Sequence, residues 1–266
     1  MIDTESLTKK FGTLTAVEDV TLHVDEGEVF GFLGPNGSGK TTIVRMLCCL
    51  ISKTSGRAWI GDYEVGNSVD SQKIRRIIGL LPENVGLYDD LSAYQNLDFY
   101  GRLYKSTKEQ RRERIEYFLK MLGLWDKRDH PAGTFSKGMK QKLAIARALI
   151  HDPQVLFLDE PTANLDPEAS KTVRDFILEL KKEKRTIFLT THLLDEAERI
   201  CDRVGILKTN LVAVGTLEKL RRSLWRRKSV FQLEQVNDTI VASATGIQAV
   251  EITEDISHLA LGGEIQ

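Results

Sequence analysis

Residues 34 to 42 run Gly-Pro-Asn-Gly-Ser-Gly-Lys-Thr-Thr, and glycines at that spacing ahead of a lysine and a hydroxyl have the chemistry of a phosphate cradle. Gly34, Gly37 and Gly39, with Asn36 and Ser38 between them, let the backbone turn its N–H groups inward, so several donors and the positive end of the next helix face one anion. Lys40 adds a full charge at the β and γ phosphates, Thr41 offers a hydroxyl to Mg2+, and Thr42 leads on into the helix. The apolar run Val29-Phe30-Gly31-Phe32-Leu33 precedes the loop and Ile43-Val44-Arg45-Met46-Leu47 follows it, which is the strand, loop and helix context the motif requires. A second pair of groups stands at Asp159-Glu160, directly after Val155-Leu156-Phe157-Leu158. Two carboxylates at the carboxyl end of a buried strand lie where ligands of open α/β sheets gather. Asp159 is placed to hold Mg2+ through water, and Glu160 to orient and deprotonate an attacking water, a contribution of ~10²–10⁴-fold in rate.

These groups need a sheet to hold them. Ile78 to Leu81, Val155 to Leu158, Ile187 to Leu189 and Val204 to Leu207 are continuous apolar runs, as expected of strands buried on both faces of a largely parallel sheet. Segments 13 to 24 and 57 to 64 alternate apolar and polar residues, which predicts half-buried antiparallel strands beside the phosphate loop. Asp166-Pro167 supplies an N-cap and first-turn proline for a helix with Val173, Phe176, Ile177 and Leu180 on one face. Between about 84 and 150 helical signals take over. Ser92 to Gln95 is a capping box, Ile115, Phe118, Leu119 and Leu122 form a stripe ending near Gly123, and a further helix is expected from Lys137 to Ile150 after the Pro131-Ala132-Gly133 break. The expected architecture is an α/β nucleotide-binding core of residues 1–83 and 151–220, with an antiparallel β subdomain and a helical subdomain inserted at 84–150. A small α+β extension is expected over residues 221–266, led into by a basic helix from Leu217 to Lys228, which is followed by strand-like pieces at Val230 to Leu233, Thr239 to Ala242 and Val250 to Thr253.

The 266 residues carry 37 basic and 38 acidic side chains, a net charge of −1, so whole-surface attraction to nucleic acid or anionic lipid is not indicated. Cys48, Cys49 and Cys201 fit no metal spacing and read as buried thiols in a reducing compartment, the adjacent pair within an apolar helical stretch. The start of the chain lacks a basic region followed by an apolar one, and no apolar run approaches the ~18 residues a bilayer span needs. A soluble, intracellular chain is expected. The basic run Arg221, Arg222, Arg226, Arg227, Lys228, with Trp225 inside it, is either a solvated helix face or a contact to anionic lipid.

Over about residues 2 to 220 the chain resembles the ATP-binding subunit of an ABC transporter. Phe135-Ser136-Lys137-Gly138-Met139 with Lys140-Gln141 is similar to that family's signature, Ala163-Asn164-Leu165-Asp166 to its dimer-contacting loop, and Thr190-Thr191-His192 to its switch-histidine segment. The resemblance implies an ATP hydrolase of P-loop fold with ATP and Mg2+ as ligands, Phe11 stacked on adenine and Val17 beside it, and His192 bonded to the γ-phosphate. His192 reads alternatively as a cap of the next helix. Ser136 is a good N-cap, so its hydroxyl and the amides near Gly138 make a second anion-binding helix start. The resemblance implies that this start serves ATP held by a second copy of this chain or a homologous subunit, and that a separate transmembrane permease is the partner, with the chain peripheral on the inner face of the membrane.

Three departures stand out. Glu83 occupies the place where the family usually has glutamine, and a carboxylate there is tolerable only close to the metal, since the γ-phosphate and Glu160 repel it. Glu83 is therefore expected at Mg2+ or its water, and it resembles a branch associated with multidrug and antibiotic export. Lys137 replaces a glycine and either points charge at the partner's phosphate or faces solvent. Ala163 stands where serine is commoner. A soluble ABC ATPase acting on ribosomes or DNA is the competing function, although the paired domains or long coiled coils of such members are lacking in this sequence.

Overall fold

In the computed structural model, which describes residues 1–225, 231–236 and 239–244, the apolar runs become the interior of a six-stranded sheet. The elements follow in order as β1 (Ile2–Phe11), β2 (Leu14–Val24), β3 (Val29–Leu33), α1 (Lys40–Leu47), β4 (Ser55–Ile60), β5 (Tyr63–Glu64), α2 (Ser68–Ile77) and β6 (Ile78–Leu81). Then come α3 (Ala93–Leu103), α4 (Lys108–Met121), α5 (Lys137–Leu149), β7 (Val155–Asp159), α6 (Pro167–Lys182), β8 (Thr186–Thr191), α7 (Leu194–Ile200), β9 (Arg203–Lys208) and β10 (Asn210–Gly215). The chain ends its described part with α8 (Leu217–Trp225), β11 (Phe231–Val236) and β12 (Thr239–Ala244). It divides into two compact units, Met1–Leu220 and Arg221–Gln266.

The large sheet has the order β10-β9-β3-β8-β7-β6. All its pairings are parallel except β9 with β10. Each central strand sends alternate residues into different cores. Val155 and Phe157 join Phe30, Phe32 and Phe188 against α1 and the antiparallel sheet, whereas Leu156 and Leu158 join Leu143, Phe176 and Leu189 among the helices. Burial on both faces explains why the runs are continuous rather than alternating. The smaller sheet, β2-β1-β4-β5, is antiparallel throughout. Its strand β1 is not predicted above. The sequence Ile-Asp-Thr-Glu-Ser-Leu-Thr-Lys-Lys-Phe breaks the two-residue period at Ser6, which has φ of +47°, where the register with β2 shifts. A bulge moves the next apolar side chain back to the core face, so no simple alternation survives.

The inserted helices form as expected. Ser92 and Gln95 make the reciprocal capping box of α3, a second such box at Thr107 and Gln110 opens α4, and Asp166 caps α6 through the Ala169 N–H. Ile115, Phe118, Leu119 and Leu122 are buried, and Gly123 adopts φ of +66° at the helix end. Cys48 is buried at the C-cap of α1, but Cys49 lies past that cap at φ of +55° and is only half-buried, so the adjacent pair is not in a helix. The second unit contributes the antiparallel pair β11 and β12. The expected pieces at Arg226 to Lys228 and Val250 to Thr253 lie outside the described residues.

His151, just after α5, joins the helical insert to the sheet. Its ring stacks on Tyr104 at 3.7 Å and its Nε2 meets the Ile78 carbonyl at 2.8 Å. Burial pushes its imidazole down to about 4 from an ordinary 6.5, against the opposing pull of that carbonyl. The unfolded chain therefore binds the proton first, and stability is full above pH 6.5 and is lost as pH falls toward 4. His151→Phe is expected to flatten urea-melting stability across that window by at most about 3 kcal/mol.

Candidate functional site

Among α1 to α6, five helices start on a side-chain cap: Asn67, Ser92, Thr107, Ser136 and Asp166. The exception is α1, whose N-cap is Gly39 at φ of +101° with no side chain to offer. Its first amides depend on something other than a cap, which is the condition for an anion site at a helix start. Glycine is required there twice over, because a Cβ at Gly39 would lie 2.5 Å from the Ala16 carbonyl oxygen.

Above this helix start opens a cleft of about 530 Å³. Phe11, Leu14 and Ala16 form one wall, residues Asn36, Gly37 and Gly39 to Thr42 the floor, and Glu83 and Glu160 the far side. Phe11 is 49% exposed, with the Lys9 ammonium 4.8 Å from its ring centre. Such a face suits stacking by a planar base. Three predicted residues stand elsewhere. Val17 is wholly buried in the core, so Ala16 and Leu14 occupy the wall that Val17 was expected to share. Gly34 is needed for packing, since a Cβ there would meet the Leu207 carbonyl oxygen at 2.4 Å. Ser38 is buried, with its hydroxyl unpaired.

The charged groups converge on one point. Lys40, 5% exposed, donates to the Gly34 carbonyl at 2.7 Å and the Pro35 carbonyl at 3.1 Å, and lies 3.4 Å from Glu160 Oε1. His192 Nδ1 is 2.9 Å from Glu160 Oε2. The alternative of His192 as a helix cap does not apply, because Leu193 is the N-cap of α7. Asp159, 2% exposed, accepts from Thr41 Oγ1 at 3.1 Å and from Thr190 Oγ1 at 2.6 Å. Thr190 also takes the Glu160 N–H on both its carbonyl, at 3.2 Å, and its hydroxyl, at 3.1 Å. Its role is absent from the sequence reading, where it is only the residue two before a histidine. Glu160 itself has φ of +51°, a left-handed conformation that costs a non-glycine residue about 1–2 kcal/mol and persists only when its surroundings hold it.

The donors suit a hard cation. Thr41 hydroxyl and Asp159 carboxylate touch, and the exposed Glu83 carboxylate lines the same cleft. Among the described residues no group of three or more His, Cys, Asp or Glu could hold a metal unaided. Mg2+ bound by one or two carboxylates completes its shell with water and substrate phosphate oxygens, which this donor set allows.

Ser136 and Gly138 do not line the cleft. Ser136 is exposed and caps α5 by accepting the Met139 N–H at 3.3 Å. Gly138 is buried against α6, where a Cβ would come within 2.7 Å of Ala169 Cβ. That contact gives the glycine a packing reason that its place in a motif does not reveal. Lys137 is exposed. Gly138→Ala is expected to lower stability by about 1–3 kcal/mol through overpacking, measured as a fall in Tm.

Comparison with known proteins gives a consistent result. A family model described as ABC transporter matches residues 17–163. The ABC transporter ATP-binding protein NatA of Bacillus subtilis is 41% identical over 209 residues, covering 78% of this chain and 85% of NatA. The bacitracin transport ATP-binding protein BcrA of Bacillus licheniformis is 37% identical over 275 residues, covering 100% and 88%. Among solved structures, the dimeric bacterial ABC transporter cassette MJ0796 superposes with a TM-score of 0.75 at 29% identity, covering 82% of this chain and 99% of that one. A post-hydrolysis form of that cassette bound to ADP and Pi gives 0.74 at the same identity and coverage.

Proposed function

Since the chain belongs to the ABC transporter ATP-binding family and is an ATP hydrolase of P-loop fold, we propose that it powers a separate transmembrane permease of the drug- or antibiotic-exporting kind, through ATP-driven pairing of two copies. The carrying observation is the convergence of Lys40, Glu160 and His192 beside the uncapped start of α1. In this reading the amides of residues 37 to 42 and Lys40 bind the phosphates, and Phe11 receives the adenine. Glu160 accepts the proton of the attacking water, held in place by His192, which donates to the γ-phosphate as the lytic step proceeds. Thr41 and Asp159, with Glu83 lining the same cleft, would hold Mg2+, and its positive charge would stabilise the negative charge that builds on the phosphates. Ser136 and the start of α5 face the nucleotide of the second copy. The dimeric form of MJ0796 and its product-bound form support this arrangement.

One surface feature supports a membrane partner. No helix among the described residues is long and apolar enough to cross a bilayer. Exposed Tyr88, Phe99, Leu103 and Tyr104 gather along α3 and the loop before it, with Tyr88 and Phe99 rings 5.2 Å apart, and an apolar patch of that kind marks an interaction face. The bacitracin-transport role of BcrA favours an exporter. On this reading residues 1–220 are the motor, 221–266 an appendage, and the chain sits at the inner face of the membrane.

Glu160→Gln is expected to keep ATP binding, to lower kcat by ~10²–10⁴-fold and to accumulate an ATP-dependent dimer in size-exclusion chromatography. A variant that stays monomeric with saturating ATP would count against the paired mechanism. Glu83→Gln should shift the Mg2+ concentration needed for half-maximal hydrolysis, and an unchanged Mg2+ dependence removes Glu83 from the metal's surroundings. Recovery from solubilised membranes together with a polytopic protein tests the partner.

A further inference from the structure

Glu160 is aimed by its backbone, and its own contacts account for only the amino side of that restraint. Its N–H is fixed by Thr190. On the carboxyl side the next residue is Pro161, which has no N–H to anchor, and then Thr162. Both are buried, and both are gripped by side chains from other elements. Gln141, buried on α5, donates from Nε2 to the Pro161 carbonyl at 2.9 Å. Thr162 donates its hydroxyl to Glu196 Oε2 on α7, and the other oxygen of that carboxylate meets Arg174 of α6 at 3.2 Å. The turn is closed by the Ala163 N–H on the Glu160 carbonyl at 3.2 Å.

We propose that Gln141 and Glu196 are positioning residues for ATP hydrolysis, clamping Pro161 and Thr162 so that Glu160 is kept in its left-handed conformation with its carboxylate between Lys40 and His192. This rests on reading Glu160 as the base. A purely packing role would be met by apolar side chains, whereas a buried amide and a buried carboxylate incur a desolvation cost that only directed hydrogen bonds offset. Each polar group lands on the loop directly after the strained residue, and each lies a few positions along the chain from another residue of the proposed mechanism. Gln141 lies five residues beyond Ser136 on the same helix, and Glu196 lies four beyond His192. The clamp therefore makes the aim of the base depend on where α5 and the histidine segment stand. Movement of α5 that breaks the Gln141 bond leaves the nucleotide held but the water unattended.

The test uses the full chain, steady-state hydrolysis and nucleotide binding. Gln141→Met keeps the volume and loses the donor, and Thr162→Val keeps the shape and loses the hydroxyl. Each is expected to lower kcat about tenfold while KM for ATP and the nucleotide Kd stay within about twofold, the pattern of a group acting only in the chemical step. The double variant should fall little further than either single one, since the two bonds act as a unit. Glu196→Ala should lose kcat similarly, and Glu196→Gln, which keeps an acceptor for Thr162, should recover most of it. Unchanged kcat in folded Gln141→Met and Thr162→Val overturns the proposal. So does a parallel loss of kcat, nucleotide affinity and Tm, which is the mark of a structural role. Glu160→Gln run alongside separates the two readings: if it hydrolyses ATP at the normal rate the base assignment fails, and if it is inactive while the clamp variants are normal only the clamp fails.

Discussion

Parallel pairing of β7 with β8 sets Asp159 opposite Thr190, and the chemistry of the site depends on that one register. The Thr190 hydroxyl donates to the Asp159 carboxylate and accepts the Glu160 N–H, so a single oxygen spaces the two acidic residues. A slip of one residue would turn every side chain of β7 to the opposite face of the sheet. Such a slip would bury Leu156 and Leu158 where Phe157 now packs, in a core already filled by Phe30, Phe32 and Phe188. Packing of ordinary apolar side chains thus fixes, at a distance, which carboxylate faces the phosphate loop.

From this register the rest of the cleft follows by short connections. β3 lies beside β8 with Leu33 opposite Thr191, which delivers the loop beginning at Gly34 next to the acid pair. The loop then starts a helix that has no capping side chain, while α2 to α6 carry their own caps. The antiparallel sheet supplies only a wall, through Phe11, Leu14 and Ala16. Among the residues that line the cleft, Glu160 is the one non-glycine residue in the left-handed region, with its N–H held by Thr190 and the carbonyl of the next residue held by Gln141.

Much of this was legible in the residues alone. The four apolar runs, the capping box at Ser92, the Asp166-Pro167 helix start and the phosphate loop each contain their determining interaction within a few positions, so local pattern suffices. What escaped reading depends on distant partners. β1 was hidden because a bulge at Ser6 breaks its period. Val17 and Ala16 are adjacent, and only the pairing of β2 with β1 decides which faces the core. Thr190 gains its function from a strand 31 positions away in sequence. Gly138 could be recognised as part of a motif, yet its contact with Ala169 across α6 is a fact of packing that no spacing encodes.

The division of the sheet's two faces has a practical corollary. Along β7, odd-numbered positions belong to the phosphate-loop side and even-numbered ones to the side of the inserted helices. Parity of residue number is thus an address label for mutagenesis. A directed library confined to even positions would retune how the insert is carried while leaving the nucleotide chamber's lining chemistry in place, and an odd-position library would do the reverse.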